Sequence, residues 1–294
     1  MSNAVPVLLD TDIGSDIDDA LCLAYLLAQP RCELLGVASV SGQPRRRAML
    51  ADALCRAAGR THVPVWSGTE QPLLVEQRQP EAPQAQVLPR WAHRDDVAAG
   101  EAVWRMREVV RSRPGEVTLL TIGPLTNVAL LFALDREVPR LLRRIVVMGG
   151  WFFRPGHAEW NMLCDPHAAA IAAAAEVPEA WFHGLDVTTR CRLPVEECRR
   201  RLRGGPLDAV ANMAEVWFRS RDAITFHDPL AAACVFEPQL CGYRRGRARV
   251  ILDPPQDAGR TELIESPGGP HHVAGDVSPD AFFEHYFATL ERLK

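Results

Sequence analysis

Short apolar runs alternate with helical patterns along most of this chain, and that alternation limits the fold more than any other feature. VPVLLD (5–10) reads as a buried strand, and IDDALCLAYLLAQ (17–29) as a helix stopped at Pro30. ELLGVASV (33–40) and PRRRAMLADALCRAAG (44–59) repeat the pair. Then come VTLLTI (117–122), PLTNVALLFAL (124–134), RIVVMG (144–149), PHAAAIAAAAE (166–176) and WFHGL (181–185). Strands that are apolar nearly throughout, separated by helices, need a sheet covered on both faces. That predicts an α/β, Rossmann-like fold: a mostly parallel open sheet flanked by helices. No internal repeat and no linker divides the chain, so residues 1–294 are expected to form a single domain. Two stretches break the rhythm: residues 69–98, rich in Gln, Pro and charge, and residues 186–226, helical with weak strand signals. Each reads either as a surface excursion or as a lid or subunit contact.

Composition removes several function classes. Apolar residues make up 47% and charged residues 24%, which excludes a disordered chain. A net charge of −4 offers no basic domain for nucleic acid. Apolar stretches break off before bilayer-spanning length, and MSNAVPVLLD lacks a basic segment followed by a long apolar run. The eight cysteines form no CxxC pair. They read as reduced, mostly buried thiols of a cytoplasmic protein rather than a disulfide or zinc framework.

In open parallel sheets ligands bind beyond the carboxyl ends of the strands. The first strand runs into Asp10-Thr11-Asp12-Ile13-Gly14-Ser15-Asp16-Ile17-Asp18-Asp19, five carboxylates in ten residues. Mutual repulsion makes such a cluster costly unless a cation neutralises it, and hard divalent cations take oxygen ligands. Helix N-capping accounts for one or two of the five, not all. An EF-hand is excluded, because the Gly falls at the fifth position and Leu21 at the twelfth. A haloacid-dehalogenase-type phosphatase also begins with a strand ending in DxD. It also needs a downstream Lys, and lysine is almost absent from this chain.

The later strand ends carry Ser41-Gly42-Gln43, Gly123-Pro124-Leu125-Thr126-Asn127, Gly149-Gly150-Trp151, Ala158-Glu159-Trp160-Asn161 and Phe226-His227-Asp228-Pro229. Singly these are turns, caps or surface pairs. Together and in this order, the chain resembles the nucleoside hydrolases of the inosine-uridine-preferring group. The segments that carry the resemblance are DTDIGSDIDDALCLAYLL (10–27), TIGPLTNVAL (121–130), VVMGG (146–150), AEWNMLCDPHAAA (158–170), GLDVT (184–188) and HDPLAAA (227–233).

The resemblance implies a homodimer or homotetramer that binds one calcium ion and acts on a nucleoside, with no nucleic-acid or membrane partner. Carried over by motif, Asp12, Asp19 and Asp228 ligate calcium through carboxylates and Thr126 through its backbone carbonyl. Asp12 is also the general base toward water, and Asp10 orients the loop from behind. Asp18, Glu159, Asn161 and Asp228 hold the ribose hydroxyls, and His227 protonates the departing base. Cleaving an N-ribosidic bond builds positive charge on the sugar, which a carboxylate-rich pocket stabilises. An imidazole titrating near neutrality suits the acid role. The chain departs from the family pattern in three places. Its first loop has two extra residues before Asp18-Asp19, leaving Asp16 without a role. The family's ribose-contacting Gly-Asn is Gly42-Gln43 here, which makes Gln43 the expected sugar contact. The segment WFFRPGHA (151–158) lacks the Asn that meets the 5′-hydroxyl. His93 stands in the variable loop, where relatives place a base-contacting histidine, though it also reads as an exposed side chain. Trp151 and Trp160 read either as stacking surfaces or as core. Two other readings stay open at this point: a hydrolase of an unusual N-riboside, and a calcium-dependent nucleoside- or ribose-binding protein without turnover.

Overall fold

The structure is a computed structural model that describes residues 4–154 and 156–293. In chain order it begins with β1 (Val5–Thr11), α1 (Asp18–Ala28), β2 (Cys32–Ser39), α2 (Pro44–Ala57) and β3 (Val65–Ser67). A long irregular stretch with one 3-10 turn follows, then α3 (Ala102–Ser112), β4 (Thr118–Thr121), α4 (Thr126–Leu134), α5 (Val138–Leu141) and β5 (Arg144–Met148). Next come α6 (Trp160–Cys164), α7 (Pro166–Ala174), β6 (Ala180–His183), α8 (Leu185–Thr188), β7 (Arg192–Pro194), α9 (Val195–Arg201), α10 (Leu207–Trp217) and β8 (Ala223–Thr225). The chain closes with α11 (His227–Phe236), β9 (Cys241–Val250), β10 (Thr261–Glu265), β11 (His271–Val277) and α12 (Pro279–Leu290).

Nine strands form one sheet in the order β10-β9-β11-β6-β5-β4-β1-β2-β3, and β7 pairs with β8 apart from it. From β11 to β3 all neighbours run parallel, while β9 is antiparallel to both β11 and β10. The expected parallel α/β sheet is thus present, extended at one edge by an antiparallel ribbon. Successive strand residues face opposite sides. Val7, Leu9, Leu120 and Val146 pack with α1, α2, α10, α11 and α12. Leu8, Leu119, Ile145 and Val147 pack with α3, α4 and α7 on the other face.

Helix α1 is buried along its whole length, Asp18 and Asp19 included. Its apolar residues run all round, as a helix enclosed by others requires, and Pro30 ends it after the cap at Gln29. Among the described residues no helix is long and apolar enough to cross a membrane.

Candidate active site

The carboxyl ends of β1, β4 and β5 and the starts of α1, α6 and α11 enclose a cavity of about 620 Å³. Asp12, Asp16, Asp18, Asp19, Glu159, Asn161, His227 and Asp228 all line it. Residues far apart in sequence meet there because parallel strands all deliver their ends to one edge.

The β1 loop is held from beneath by Arg47, whose side chain is fully buried. Its guanidinium donates to the carbonyls of Gly42 at 2.7 Å, Glu81 at 2.8 Å and Ile13 at 3.3 Å, to Ser15 Oγ at 2.9 Å, and to the Asp12 carbonyl. Asp10 sits behind the cavity. Its Oδ1 accepts from Asn127 Nδ2 at 2.7 Å, and the same amide donates to Ser39 O at 3.0 Å. Asn127 Oδ1 accepts from Thr69 N at 2.9 Å, so one side chain ties the ends of β1, β2 and β3. Gly123 lets the turn after β4 close on Asp12: a Cβ there would lie 2.7 Å from Asp12 Oδ1.

Oxygens of Asp18, Asp19 and Asp228 lie within 4.8 Å of one another, all buried. Asp18 Oδ2 accepts the Asp228 backbone N–H at 3.1 Å, and the Thr11 hydroxyl donates to Asp19 Oδ1. Burial, reinforced by the neighbouring carboxylates, pushes Asp18, Asp19 and Asp228 well above the usual carboxylate range. Asp12 is also raised by burial, against the opposing field of Arg47 and the Gln79 hydrogen bond. Asp16 rises to about 6 for the same reason; its Oδ1 accepts from Ile17 N at 2.6 Å. Crowded, buried oxygen donors that cannot all ionise alone are the donor set a hard divalent cation stabilises.

Glu159 faces the cluster as the N-cap of α6, accepting from Asn161 N at 2.9 Å, Met162 N at 3.1 Å and Gly150 N at 3.2 Å. Burial pushes it up to about 7 despite those three donors. Asn161 Nδ2 donates to Ile122 O at 2.9 Å and Met148 O at 3.3 Å, which spends its amide protons on the strand ends. The Thr188 hydroxyl donates to Gly184 O at 3.1 Å, so it accepts from His227 Nδ1–H at 2.7 Å. That fixes the ring and leaves Nε2 for the cavity. Burial pushes His227 down to about 4, below the near-neutral titration expected from its residue type.

Two expected contacts are not in the cavity. Gln43 caps α2 in a left-handed conformation at φ 55°, and its Oε1 accepts from Ala82 N at 3.1 Å. The extra methylene takes its amide to the loop rather than to the sugar side. Thr126 is the first residue of α4, where its carbonyl enters the helix ladder, and its hydroxyl donates to Asp165 Oδ2 at 2.8 Å. The β4 residue that lines the cavity is Ile122, four positions earlier. His93 pairs with Trp91 O at 2.7 Å and Asp95 at 3.1 Å, away from the cavity. Trp160 lines it, whereas Trp151 packs edge-on against His157. Arg154 is exposed and does not line it.

Sequence reasoning missed other wall residues. Gln79, from the 69–98 stretch, donates Nε2 to Asp12 Oδ2 at 2.5 Å and accepts from Trp160 Nε1 at 2.7 Å. Gln84, fully buried, donates to Ser15 O at 3.0 Å and Asp16 O at 2.9 Å, so this stretch is stitched to the β1 loop. Trp217 and Arg221 reach the cavity from the end of α10, with Arg221 Cζ 5.1 Å from the Trp217 ring centroid. Asp186 accepts from Phe152 N at 2.7 Å and Phe153 N at 3.1 Å, and His157 lines the wall. A Gln in a Gln-rich loop carries no periodic signal; only the acidic cluster it covers marks its importance.

Comparison with known proteins agrees with this geometry. The family model described as inosine-uridine preferring nucleoside hydrolase matches residues 7–284. The chain is 31% identical over 264 residues to the pyrimidine-specific ribonucleoside hydrolase RihA of Enterobacter sp., covering 81% of this chain and 80% of that one. It is 28% identical over 267 residues to uridine nucleosidase 1 of Arabidopsis thaliana, covering 83% and 77% respectively. The solved structure of a purine-preferring ribonucleoside hydrolase from Gardnerella vaginalis shares the fold with a TM-score of 0.85 over 98% of both chains, at 23% identity. The chain therefore belongs to the inosine-uridine preferring nucleoside hydrolase family, enzymes that hydrolyse the N-glycosidic bond of ribonucleosides.

Proposed function

We propose that this enzyme hydrolyses ribonucleosides to free base and ribose by direct attack of water, with a calcium ion held among its buried carboxylates. The observation that carries the reading is the wall of Asp12, Asp18, Asp19 and Asp228 facing Glu159 and Asn161 across one cavity, with His227 on its rim. Asp12, Asp19 and Asp228 would hold the ion: oxygens of Asp19 and Asp228 lie within 4.8 Å of each other and of Asp18, and Asp12 lines the same cavity. Calcium, when bound, supplies the positive charge that lets these carboxylates ionise and a fixed point for the ribose diol and the attacking water.

The chain's own residues do the rest. Asp12, positioned by Gln79, takes the proton of the attacking water. Asp18, Asp228 and Glu159 accept hydrogen bonds from the ribose hydroxyls, and their negative charge stabilises the oxocarbenium-like sugar. His227 presents Nε2 to the departing base with Nδ1–H on Thr188; burial favours the neutral ring, so it acts as the acid only in the fraction that has taken up a proton at Nε2. A single displacement inverts the anomeric carbon. Trp217 offers a face on which the base can stack. The two named relatives are a pyrimidine-specific and a uridine enzyme, so uridine and cytidine are the first substrates to try.

The test is reducing-sugar release from uridine, cytidine, inosine, adenosine and guanosine, with calcium and with a chelator. The expected result is chelator-sensitive release, lowered at least ~10²-fold in Asp12→Asn. Release that persists unchanged in chelator removes the calcium part of the reading. Binding of these nucleosides without any release removes the catalytic part.

A further inference from the structure

Among the described residues, the side chains lining the cavity include one permanent cation, Arg221. It lies between α10 and β8 and is exposed. The charges around it are spent on other partners. Arg192 pairs with Asp222 at 2.9 Å, Arg199 pairs with Glu215 at 2.8 Å, and Arg219 donates to Gln86 Oε1 at 2.9 Å. Arg221 forms no ion pair among the described residues. Its Nη1 donates to Ser220 O at 3.4 Å, and its Cζ stands 5.1 Å from the Trp217 ring centroid. The Trp217 indole is held in turn by donating Nε1–H to Ala223 O at 3.1 Å. The guanidinium therefore stands unpaired on a cavity walled by Asp12, Asp16, Asp18, Asp19, Glu159 and Asp228.

Given the N-riboside hydrolysis proposed above, we propose that Arg221 is a further catalytic residue, whose guanidinium stabilises the negative charge that builds on the departing base. The carboxylate wall favours positive charge on the sugar. By the same field it opposes negative charge on the base. As the C1′–N bond breaks, its electron pair passes to the base nitrogen and spreads over the ring and its carbonyl oxygens. The water oxygen bonds to C1′ and its proton goes to Asp12. The base takes up one proton, from His227 or from solvent. Wherever the bond breaks ahead of that transfer, the base carries negative charge inside an acidic cavity. An arginine is suited to offset it, because its charge is permanent and its planar N–H donors match carbonyl oxygens and ring nitrogens.

The chain path agrees with this role. Trp217 and Arg221 precede β8 and His227 follows it, so one short stretch brings all three to the cavity. Glu159 and Asn161, which face the sugar, come from the start of α6 instead. Arg221 thus shares its stretch with the group that meets the leaving base.

The test compares wild type, Arg221→Gln and Arg221→Lys on ribosides of the ring system that wild type cleaves fastest, graded by the acidity of the departing base. For uracil these are 5-fluorouridine, uridine and 5-methyluridine. Arg221→Gln should lower kcat and kcat/KM together by about ten-fold or more, because the contact strengthens as charge develops. The loss should be smallest for 5-fluorouridine, whose base bears negative charge most easily, and largest for 5-methyluridine. Arg221→Lys should recover most of it. The melting temperature should stay unchanged, since the side chain is exposed. Unchanged kcat in Arg221→Gln, a loss of equal size across the series, or a loss confined to KM overturns the role. Wild type that releases ribose from no nucleoside fails at the hydrolytic reading itself and takes the role with it, an outcome visible before any variant is made.

Discussion

Asp12 shows how much of an active residue's chemistry lies in residues that motif reading does not reach. Its motif position was legible from DxD; its setting was not. Arg47 stands in a run of three arginines, with nothing in its spacing to single it out, yet it is the buried cation beneath the β1 loop. Arg47→Met should leave several loop carbonyls unpaired and cost about 3 kcal/mol or more, read as a lower urea midpoint at unchanged m-value. An unchanged midpoint would show that solvent replaces the guanidinium without penalty. Gln79 gives a subtler case. It positions Asp12 through one amide proton and is itself oriented by the Trp160 indole. Gln79→Ala should lower kcat roughly 10-fold through lost orientation, while the melting temperature barely moves. Trp160→Phe keeps the ring and removes the N–H, so its loss should go in the same direction and be smaller. Equal kcat in wild type and Gln79→Ala would reduce that glutamine to a space-filler.

At the scale of elements, the parallel core was legible because each of its strands is apolar on both faces, a pattern only two-sided burial produces. The β9–β11 extension was not. β9 reads CGYRRGRARV, and four exposed arginines, two of them adjacent, stand among its buried and half-buried positions one strand in from the sheet edge, which masks the strand signal. The site residues split the same way. The Asp, Glu, Asn and His residues at strand ends line the cavity, whereas Gln43 caps α2 and Thr126 opens α4, and neither lines it. The edge ribbon holds a titratable group with a calculable sign. His271 Nδ1 accepts from Ala248 N at 2.8 Å between β11 and β9, and burial holds the imidazole at about 4 against an ordinary 6.5. The unfolded chain takes the proton first as pH falls. Stability from this neutral imidazole is therefore complete above pH 6.5 and drains between 6.5 and about 4. By pH 5 the loss is about 2 kcal/mol. His271→Asn keeps an acceptor near Nδ1 and cannot titrate. The difference in urea stability between the two proteins should therefore shift by about that amount from pH 7.5 to pH 5. A difference that stays flat across that range would mean the native ribbon accepts the proton.

For the whole molecule, the carboxylate cluster is a concentrated electrostatic burden that the rest of the fold must outweigh. Asp12, Asp18, Asp19 and Asp228 are all buried, and burial together with neighbouring carboxylates raises the proton affinity of Asp18, Asp19 and Asp228. Nothing in the packing requires four acids there; a chain selected for stability alone would carry amides or apolar groups. Stability and function should therefore trade places with the cation. In a chelator, Asp228→Asn relieves repulsion and should melt above wild type, by about 2–4 °C for each kcal/mol relieved in a chain of this size. With calcium at 100 times its dissociation constant, wild type should gain about 2.7 kcal/mol by mass action, while the weakened site of the variant gains little. The order of melting temperatures then reverses, and only the protein that was less stable in chelator turns over nucleoside. Two scans per protein read this crossing without any substrate. If wild type melts at the same temperature in calcium and in chelator, the acidic wall does not hold that ion, and the electrostatic cost of burying it would have to be met by the fold alone.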